Sequence, residues 1–128
     1  MSKRYSIDKD AEFIIYGCGG DGRKIAAHLS ANKLTVKAFI DRRAADIISI
    51  NGIPVITSDS AASLDKKSKS AVVVITLKNL FAHAELAEKL YADGFSRIIY
   101  KNIPAGRKLS KEESELSDLY DCLLAGQS

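Results

Sequence analysis

The sequence has little of several residue types that define particular classes of protein. Among its 128 residues are no tryptophan, two prolines and two cysteines, and Cys18 and Cys122 belong to no CxxC or Cys/His pattern. This spacing indicates neither a disulfide framework nor a structural metal site, so we expect no metal. No run of apolar residues is long enough to span a bilayer, and residues 1–10 lack the apolar segment of a signal peptide. We therefore expect a cytoplasmic protein without a membrane span.

A strong charge of one sign is also missing. The 19 Lys and Arg residues oppose 16 Asp and Glu residues, and the net charge of +3 is too mild to predict a nucleic-acid partner. The distribution is uneven, because residues 107–128 carry a net charge of −2 and residues 1–106 a net charge of +5. A basic body of this kind suits an anionic ligand such as a phosphate, although in a small domain such a surplus more often serves solubility.

Apolar strand patterns alternate with helix patterns along the body of the chain. Strands are predicted at residues 13–16, 35–40, 52–56, 71–76 and 98–100. Helices are predicted between them: one that stops near Asn32, a short one capped by Ser58, and one from Leu80 to Asp93 with Gly94 as its C-cap.

This alternation predicts a Rossmann-like α/β domain over residues 1–106. Its five-stranded parallel sheet has the strand order 3-2-1-4-5 and helices on both faces, in three layers. Pro54 suggests that the third strand lies at an edge. In this order a ligand is expected above the carboxyl ends of the first and fourth strands.

Residues 107–128 differ in character from the body. Ser110-Lys111-Glu112-Glu113 reads as a capping box, and a narrow apolar stripe follows it at helical spacing. The stripe consists of Leu116, Leu119, Tyr120, Leu123 and Leu124. The pattern predicts a C-terminal amphipathic helix over residues 110–124, which packs on its own sheet, forms a homodimer contact, or begins a further domain.

The glycine-rich segment after the first strand matches the dinucleotide fingerprint GxGxxG. Gly17, Gly19 and Gly22 follow a predicted strand and precede a predicted helix, which is the context the motif requires. Such a loop presents backbone amides, here those of residues 19–22, to a phosphate at the helix N-terminus. The alternative is that the glycines serve only the turn.

Charged residues accompany this loop. Asp21 is able to cap the helix itself and opposes a diphosphate, whereas Arg23 and Lys24 offset that repulsion. The predicted loop contacts are Gly17, Gly19, Gly20, Asp21, Gly22 and Arg23.

Asp41 ends the second strand 19 residues after Gly22, where an acidic residue binds ribose hydroxyls in the fingerprint. Arg42 and Arg43 follow it, and arginines at this place bind a 2′-phosphate or stack on a base, so NAD, NADP and nucleotide-sugars all remain open. The alternative for Asp41 is a solvated turn residue.

Thr76, Lys78 and Asn79 follow the fourth strand, across the expected binding point from the glycine loop. We include Thr76 and Lys78 among the candidate ligand contacts, although Asn79 is also ordinary at a helix start.

A catalytic set is not evident. His28 and His83 have no nucleophile or acid beside them in the sequence and are interpreted as surface or packing residues. Cys18 lies near a predicted helix N-terminus, where a lowered pKa would make its thiol reactive. We favour the alternative that Cys18 only occupies a variable position of the glycine motif. The motifs of P-loop NTPases and α/β-hydrolases are absent.

Three segments carry a resemblance to known proteins. Residues 13–24, with their glycine loop, the segment Ala38-Phe39-Ile40-Asp41-Arg42, and Gly52-Ile53-Pro54-Val55-Ile56 resemble small Rossmann-like domains that precede enzymes of surface-glycan biosynthesis. One such group is the N-terminal nucleotide-sugar-binding domain of bacterial sugar acetyltransferases. The other precedes FkbM-type methyltransferases. The resemblance covers residues 12–104 well and 110–124 loosely, and it implies that the glycines bind phosphate and that Asp41 contacts the nucleoside.

The sequence departs from the acetyltransferase domains at Asp21, where they often carry histidine, and no acyltransferase or methyltransferase domain is present. We therefore expect a nucleotide-binding module for a nucleotide-sugar or NAD(P), without a complete catalytic site, belonging to a glycan-modifying transferase. The alternative is a degenerate Rossmann-like domain that serves interaction or oligomerisation and binds no ligand.

Overall fold

Two apolar runs, Glu12–Tyr16 (β1) and Val72–Ile75 (β5), form the centre of the sheet in a computed structural model that describes residues 12–77, 79 and 82–100. The other strands are Thr35–Ile40 (β2), Ser49–Ile50 (β3), Ile53–Ile56 (β4) and Arg97–Ile99 (β6). The helices are Gly20–Ala31 (α1), Ser58–Ala62 (α2) and His83–Ala92 (α3), with 3-10 turns at Arg42–Ala45 and Ser68–Ser70.

The strands are ordered β3-β4-β2-β1-β5-β6, and every pairing is parallel except that between β3 and β4. The predicted α/β class is confirmed, and the five predicted strands appear in their predicted order as β4-β2-β1-β5-β6. The prediction of five strands is wrong by one, because β3 adds a short antiparallel strand at one edge.

The additional strand comes from a tight hairpin. Asn51 and Gly52 have φ angles of 51° and 82°, and they join β3 to β4 as a two-residue turn with both central residues in the left-handed region. Pro54 therefore lies one strand inside the edge, where it pairs with Ser49, and its interpretation as an edge residue is wrong.

Two hydrophobic clusters cover the two faces of the sheet. Alternate residues of β1 point to opposite faces: Phe13 and Ile15 pack with α1, whereas Ile14 packs with α3. Both faces of β1 and β5 are buried, as expected of central parallel strands. The helices thus lie on both sides of the sheet, as predicted.

The helix ends follow local sequence signals. Gly94, with a φ of 107°, ends α3 in a Schellman motif, in which its amide bonds the Tyr91 carbonyl and the Phe95 amide bonds the Leu90 carbonyl. Lys33 occupies the same position after α1 with a φ of 63°. The cap of α2 is Thr57, whose hydroxyl accepts from the Ser60 amide, and not Ser58 as predicted.

Several predictions lie outside the described residues. They are the C-terminal helix over 110–124, the domain limit at residue 106, the beginning of the third helix at Leu80, and Cys122. In the part of the chain that the structure describes, no helix is long and apolar enough to cross a membrane.

Candidate functional site

Gly17 and Gly22 bring the glycine loop against the strand ends. Gly17 has a φ of 106°, which L side chains rarely adopt, and its amide donates to the Ile40 carbonyl at 2.8 Å. A Cβ atom on Gly22 would overlap the carbonyl oxygen of Gly17 and lie 2.9 Å from Oγ1 of Thr76. These two glycines therefore serve the turn and the close packing of α1 on β1.

Gly19 and Gly20 have no such structural requirement. Both are exposed, and a Cβ atom on either would meet nothing within 4 Å. Gly19, the N-cap of α1, has an ordinary φ of −77° and supplies no side-chain cap. The first intrahelical bond runs from the Arg23 amide to the Gly19 carbonyl, so the amides of residues 20–22 have no acceptor within the helix. The outer side of the loop is accordingly bare backbone at a helix N-terminus.

Thr76 lies beneath the loop. It is 5% exposed, and its hydroxyl is 3.0 Å from the Tyr16 carbonyl oxygen and 3.2 Å from that of Gly17. Thr76 thus fastens the end of β5 to the loop, and its role as a ligand contact stays a prediction. Lys78 lies outside the described residues.

Asp41 is the electrostatic centre of the site. Its side chain is 8% exposed and accepts five hydrogen bonds. Oδ2 accepts from the Cys18 amide at 3.1 Å, the Cys18 thiol at 3.3 Å and Nη2 of Arg43 at 3.1 Å. Oδ1 accepts from the amide and Nε of Arg43 at 2.9 and 3.0 Å. Asp41 therefore ties the glycine loop to the turn that follows β2.

These contacts displace two pKa values in opposite directions. The hydrogen bonds from Arg43, and with them the Cys18 bonds, hold the pKa of the Asp41 carboxyl well below its usual range. Burial, and then the neighbouring Asp41 carboxylate, raise the pKa of the Cys18 thiol. Both effects disfavour the thiolate form of Cys18 and favour its interpretation as a structural residue of the loop.

The basic residues around the loop differ in their engagement. Nε of Arg23 donates to the Cys18 carbonyl at 2.9 Å, which folds this side chain back over the loop. Arg43 is bound to Asp41 yet remains 52% exposed along its side chain. Arg42 and Lys24 are exposed, and Asp21 is partly exposed in the first turn of α1.

A cleft of about 550 Å³ opens at the carboxyl ends of β1, β2 and β5. This is the predicted position of the ligand, and the volume lies within the range of small-molecule sites. Its lining consists of Tyr16, Ile40, Asp41, Arg42, Arg43, Leu77, Asn79, Ala82 and Leu86.

Five of these lining residues were not considered as ligand contacts in the sequence: Tyr16, Ile40, Leu77, Ala82 and Leu86. Tyr16 ends β1 and Leu77 follows β5, so the strand-end rule that identified Asp41 applies to them as well. No charge or motif marks these residues as ligand contacts in the sequence.

Neither histidine lines the cleft. His83 is fully buried, and its Nε2 lies 2.6 Å from the Leu77 carbonyl oxygen, as expected of a packing residue. His28 lies in the last turn of α1, away from the strand ends. Among residues 12–77, 79 and 82–100, no three His, Cys, Asp or Glu side chains are grouped so as to hold a metal ion.

A parallel sheet with a glycine turn at the end of β1 and a cleft over the carboxyl ends of β1, β2 and β5 defines a Rossmann-like domain. Residues 12–90 match the family model described as the PglD N-terminal domain. The chain belongs to this family, the N-terminal domain of an acetyltransferase of glycan biosynthesis. The predicted resemblance to the acetyltransferase domains is thereby confirmed.

Solved structures agree with this class. The chain is similar to RSP, a Rex-family repressor, with a TM-score of 0.61 and 18% identity, over 91% of this chain and 60% of that chain. At this identity the likeness shows the fold alone. No curated protein matches the sequence.

A second similar structure is the acetyltransferase domain of PglB from Neisseria gonorrhoeae FA1090 in complex with acetyl coenzyme A. Its TM-score is 0.55 and its identity 25%, over 71% of this chain and 44% of that chain. Another structure of the same domain gives a TM-score of 0.54 at 23% identity, over 73% of this chain and 46% of that chain. The chain thus spans between 44% and 60% of these proteins' lengths.

Proposed function

We propose that this domain is the nucleotide-sugar-binding module of a glycan-modifying acetyltransferase. In this proposal the ligand's phosphates contact the amides of residues 19–22 and the rest of the nucleotide-sugar occupies the cleft. One observation carries the proposal: Gly19 and Gly20 are glycines at positions where the fold makes no demand for glycine.

A glycine without a structural requirement carries a cost. It loses more conformational entropy on folding than any other residue, and within a helix, as at Gly20, it is less favourable than alanine by about 1 kcal/mol. The space that a Cβ atom would fill at these positions is open to solvent. The bare amides beside it suit an anion, because a helix N-terminus carries a partial positive charge.

Charge and family membership support the same ligand class. Arg42 and Arg43 border the cleft, and a phosphorylated ligand there would meet a positive potential. The family consists of acetyltransferase N-terminal domains, which favours a nucleotide-sugar over NAD(P). Neither histidine lines the cleft, and in this proposal the described part of the chain binds the ligand while the acetyl transfer belongs to the rest of the enzyme.

The proposal is tested by calorimetric titration of the full chain with UDP, CMP, UDP-N-acetylglucosamine, NADH and NADPH. Gly19→Val places two methyl groups over the amides, and we expect it to weaken nucleotide binding at least about tenfold, as an occluded charge-assisted contact implies. Ala31→Val, at the exposed far end of α1, is the matched control and should leave binding unchanged.

The outcomes separate the candidate functions. Binding of a uridine or cytidine ligand with loss in Gly19→Val supports the proposal, whereas preference for NADH or NADPH replaces the ligand class. Failure of the unsubstituted chain to bind any of the five at millimolar concentration overturns the proposal and favours an interaction domain.

A further inference from the structure

The carboxylate at the end of β2 is fully used inside the protein. An ionised carboxylate offers about four lone-pair positions, and Asp41 already accepts five hydrogen bonds from Cys18 and Arg43. A ribose diol would have to displace the Cys18 amide or the Arg43 fork, each of which is a bond to a charged acceptor. The residue that the fingerprint assigns to the ribose is therefore not available in this chain.

Arg43 has the opposite property. Its Nε and Nη2 are held by Asp41, and Nη2 also lies 3.5 Å from the Cys18 sulfur. Nη1 has no partner within the described ranges, and the side chain is 52% exposed on the border of the cleft. An arginine whose fork is fixed along one edge presents its remaining N–H groups in a defined direction, at a low entropic cost.

We propose that Arg43, and not Asp41, is the ligand-binding residue at the end of β2, and that its Nη1 donates to a phosphate oxygen of the nucleotide. Asp41 is a positioning residue: its carboxylate holds the Arg43 guanidinium in place and compensates its positive charge. This inference rests on the proposed function and names the side chain that recognises the anion.

Electrostatics support this division of roles. Without Arg43, the negative charge of Asp41 would border the cleft and oppose a diphosphate. With Arg43 bound to it, the pair is neutral, and its accessible edge carries N–H donors. Asp21 and Asp46 are the other carboxylates near the loop and the turn, and neither lines the cleft.

The test compares UDP with uridine, because uridine lacks the phosphates. UDP affinity is measured by calorimetry, and uridine affinity by ligand-observed NMR, which detects millimolar binding. In Arg43→Gln we expect UDP binding to fall about ten- to a hundredfold, as the loss of a charge-assisted hydrogen bond implies, with little change for uridine. Arg43→Lys should recover little, because lysine cannot form the fork with Asp41.

The control removes the same charge elsewhere: Lys66→Gln changes an exposed residue before β5, and we expect it to weaken UDP binding by no more than about threefold, because screening reduces the effect of exposed charges. Arg42→Gln changes the neighbouring cleft arginine, for which no bond to Asp41 is described, and we expect it to weaken UDP binding less than Arg43→Gln does. Asp41→Asn should lower the UDP affinity more than the uridine affinity, whereas a purely structural role would lower both equally.

The results distinguish a failure of the proposed function from a failure of the assignment of Arg43. If the unsubstituted chain does not bind UDP, the proposed function falls and this inference with it. If the unsubstituted chain binds UDP and Arg43→Gln binds it equally well, or if Arg42→Gln loses as much as Arg43→Gln, only the assignment of Arg43 is overturned.

Discussion

Replacing Asp41 with asparagine tests the connection between the glycine loop and the turn after β2. The carboxylate accepts the Cys18 amide on one oxygen and the Arg43 amide on the other. Asparagine has one carbonyl oxygen, so in either orientation its NH2 group faces one of these two amides. One backbone donor then loses its acceptor, either the buried Cys18 amide or the partly buried Arg43 amide.

The magnitude follows from this geometry. A hydrogen bond to a charged group contributes about 1.5–3 kcal/mol, and an unsatisfied buried donor costs a similar amount. The Arg43 side chain is half exposed, so water screens its ion pair with Asp41 and we count nothing for it. We expect Asp41→Asn to lower the free energy of unfolding by about 2–3 kcal/mol at pH 7.

The effect should depend on pH in one direction. Because the folded state depresses the pKa of Asp41, the carboxylate stabilises the fold fully above its unfolded pKa of about 4. That contribution is lost as pH falls below the unfolded value towards the folded one. The difference in stability between the unsubstituted chain and Asp41→Asn should therefore be constant from pH 6 to 8 and narrow below about pH 4.

Urea unfolding followed by circular dichroism at pH 7 and pH 3 measures this difference. Asp46→Asn, an exposed aspartate at the end of the same 3-10 turn, is the control and should stay within about 0.5 kcal/mol at both pH values. A difference that is absent at pH 7, or that does not narrow at pH 3, would refute the assigned role of the carboxylate.

Two further predictions concern the glycines of the loop and the introduction of a glycine at the end of α1. Gly22→Ala should destabilise the fold by about 2 kcal/mol or more in urea unfolding, because its Cβ atom overlaps the Gly17 carbonyl, whereas Gly20→Ala should be neutral or stabilising by up to about 1 kcal/mol. Equal effects of these two substitutions would contradict the description of the loop. Lys33→Gly should stabilise by about 1 kcal/mol, since Lys33 adopts the left-handed conformation in the Schellman motif after α1; destabilisation on thermal unfolding would show that this cap is not formed.

Much of the fold follows from the sequence because its strands are central and parallel. Runs such as residues 13–16 and 72–75 are apolar on both faces, and the glycines and helices between them leave few arrangements. The edge was less predictable. Asn51-Gly52 carries the turn signal for a hairpin, but β3 has only two residues, which is too few for a periodic pattern. Pro54 indicated that its own strand, β4, was the edge, whereas β3 lies outside it.

Only part of the candidate site could be predicted from the sequence: Asp41 and Arg42 line the cleft, whereas the glycines of the loop do not, and the internal contacts could not be predicted. Strand ends and the glycine loop are local features, so their residues were identified from spacing. The occupation of Asp41 depends on Cys18, 23 residues away, and on the rotamer of Arg43, which no spacing rule gives. The same holds for Thr76, whose hydroxyl is directed under the loop by the packing of β5 on β1.

The double attachment of Asp41 has a consequence for how the proposed ligand would bind. One carboxylate holds both an amide of the glycine loop and an amide of the turn after β2, so these two segments form a single preorganised surface. A ligand that contacts the glycine loop and the turn after β2 does not have to order either segment, because the loop loses its conformational entropy during folding. Affinity at such a surface is governed by the contacts themselves, and improvements in those contacts translate directly into slower dissociation.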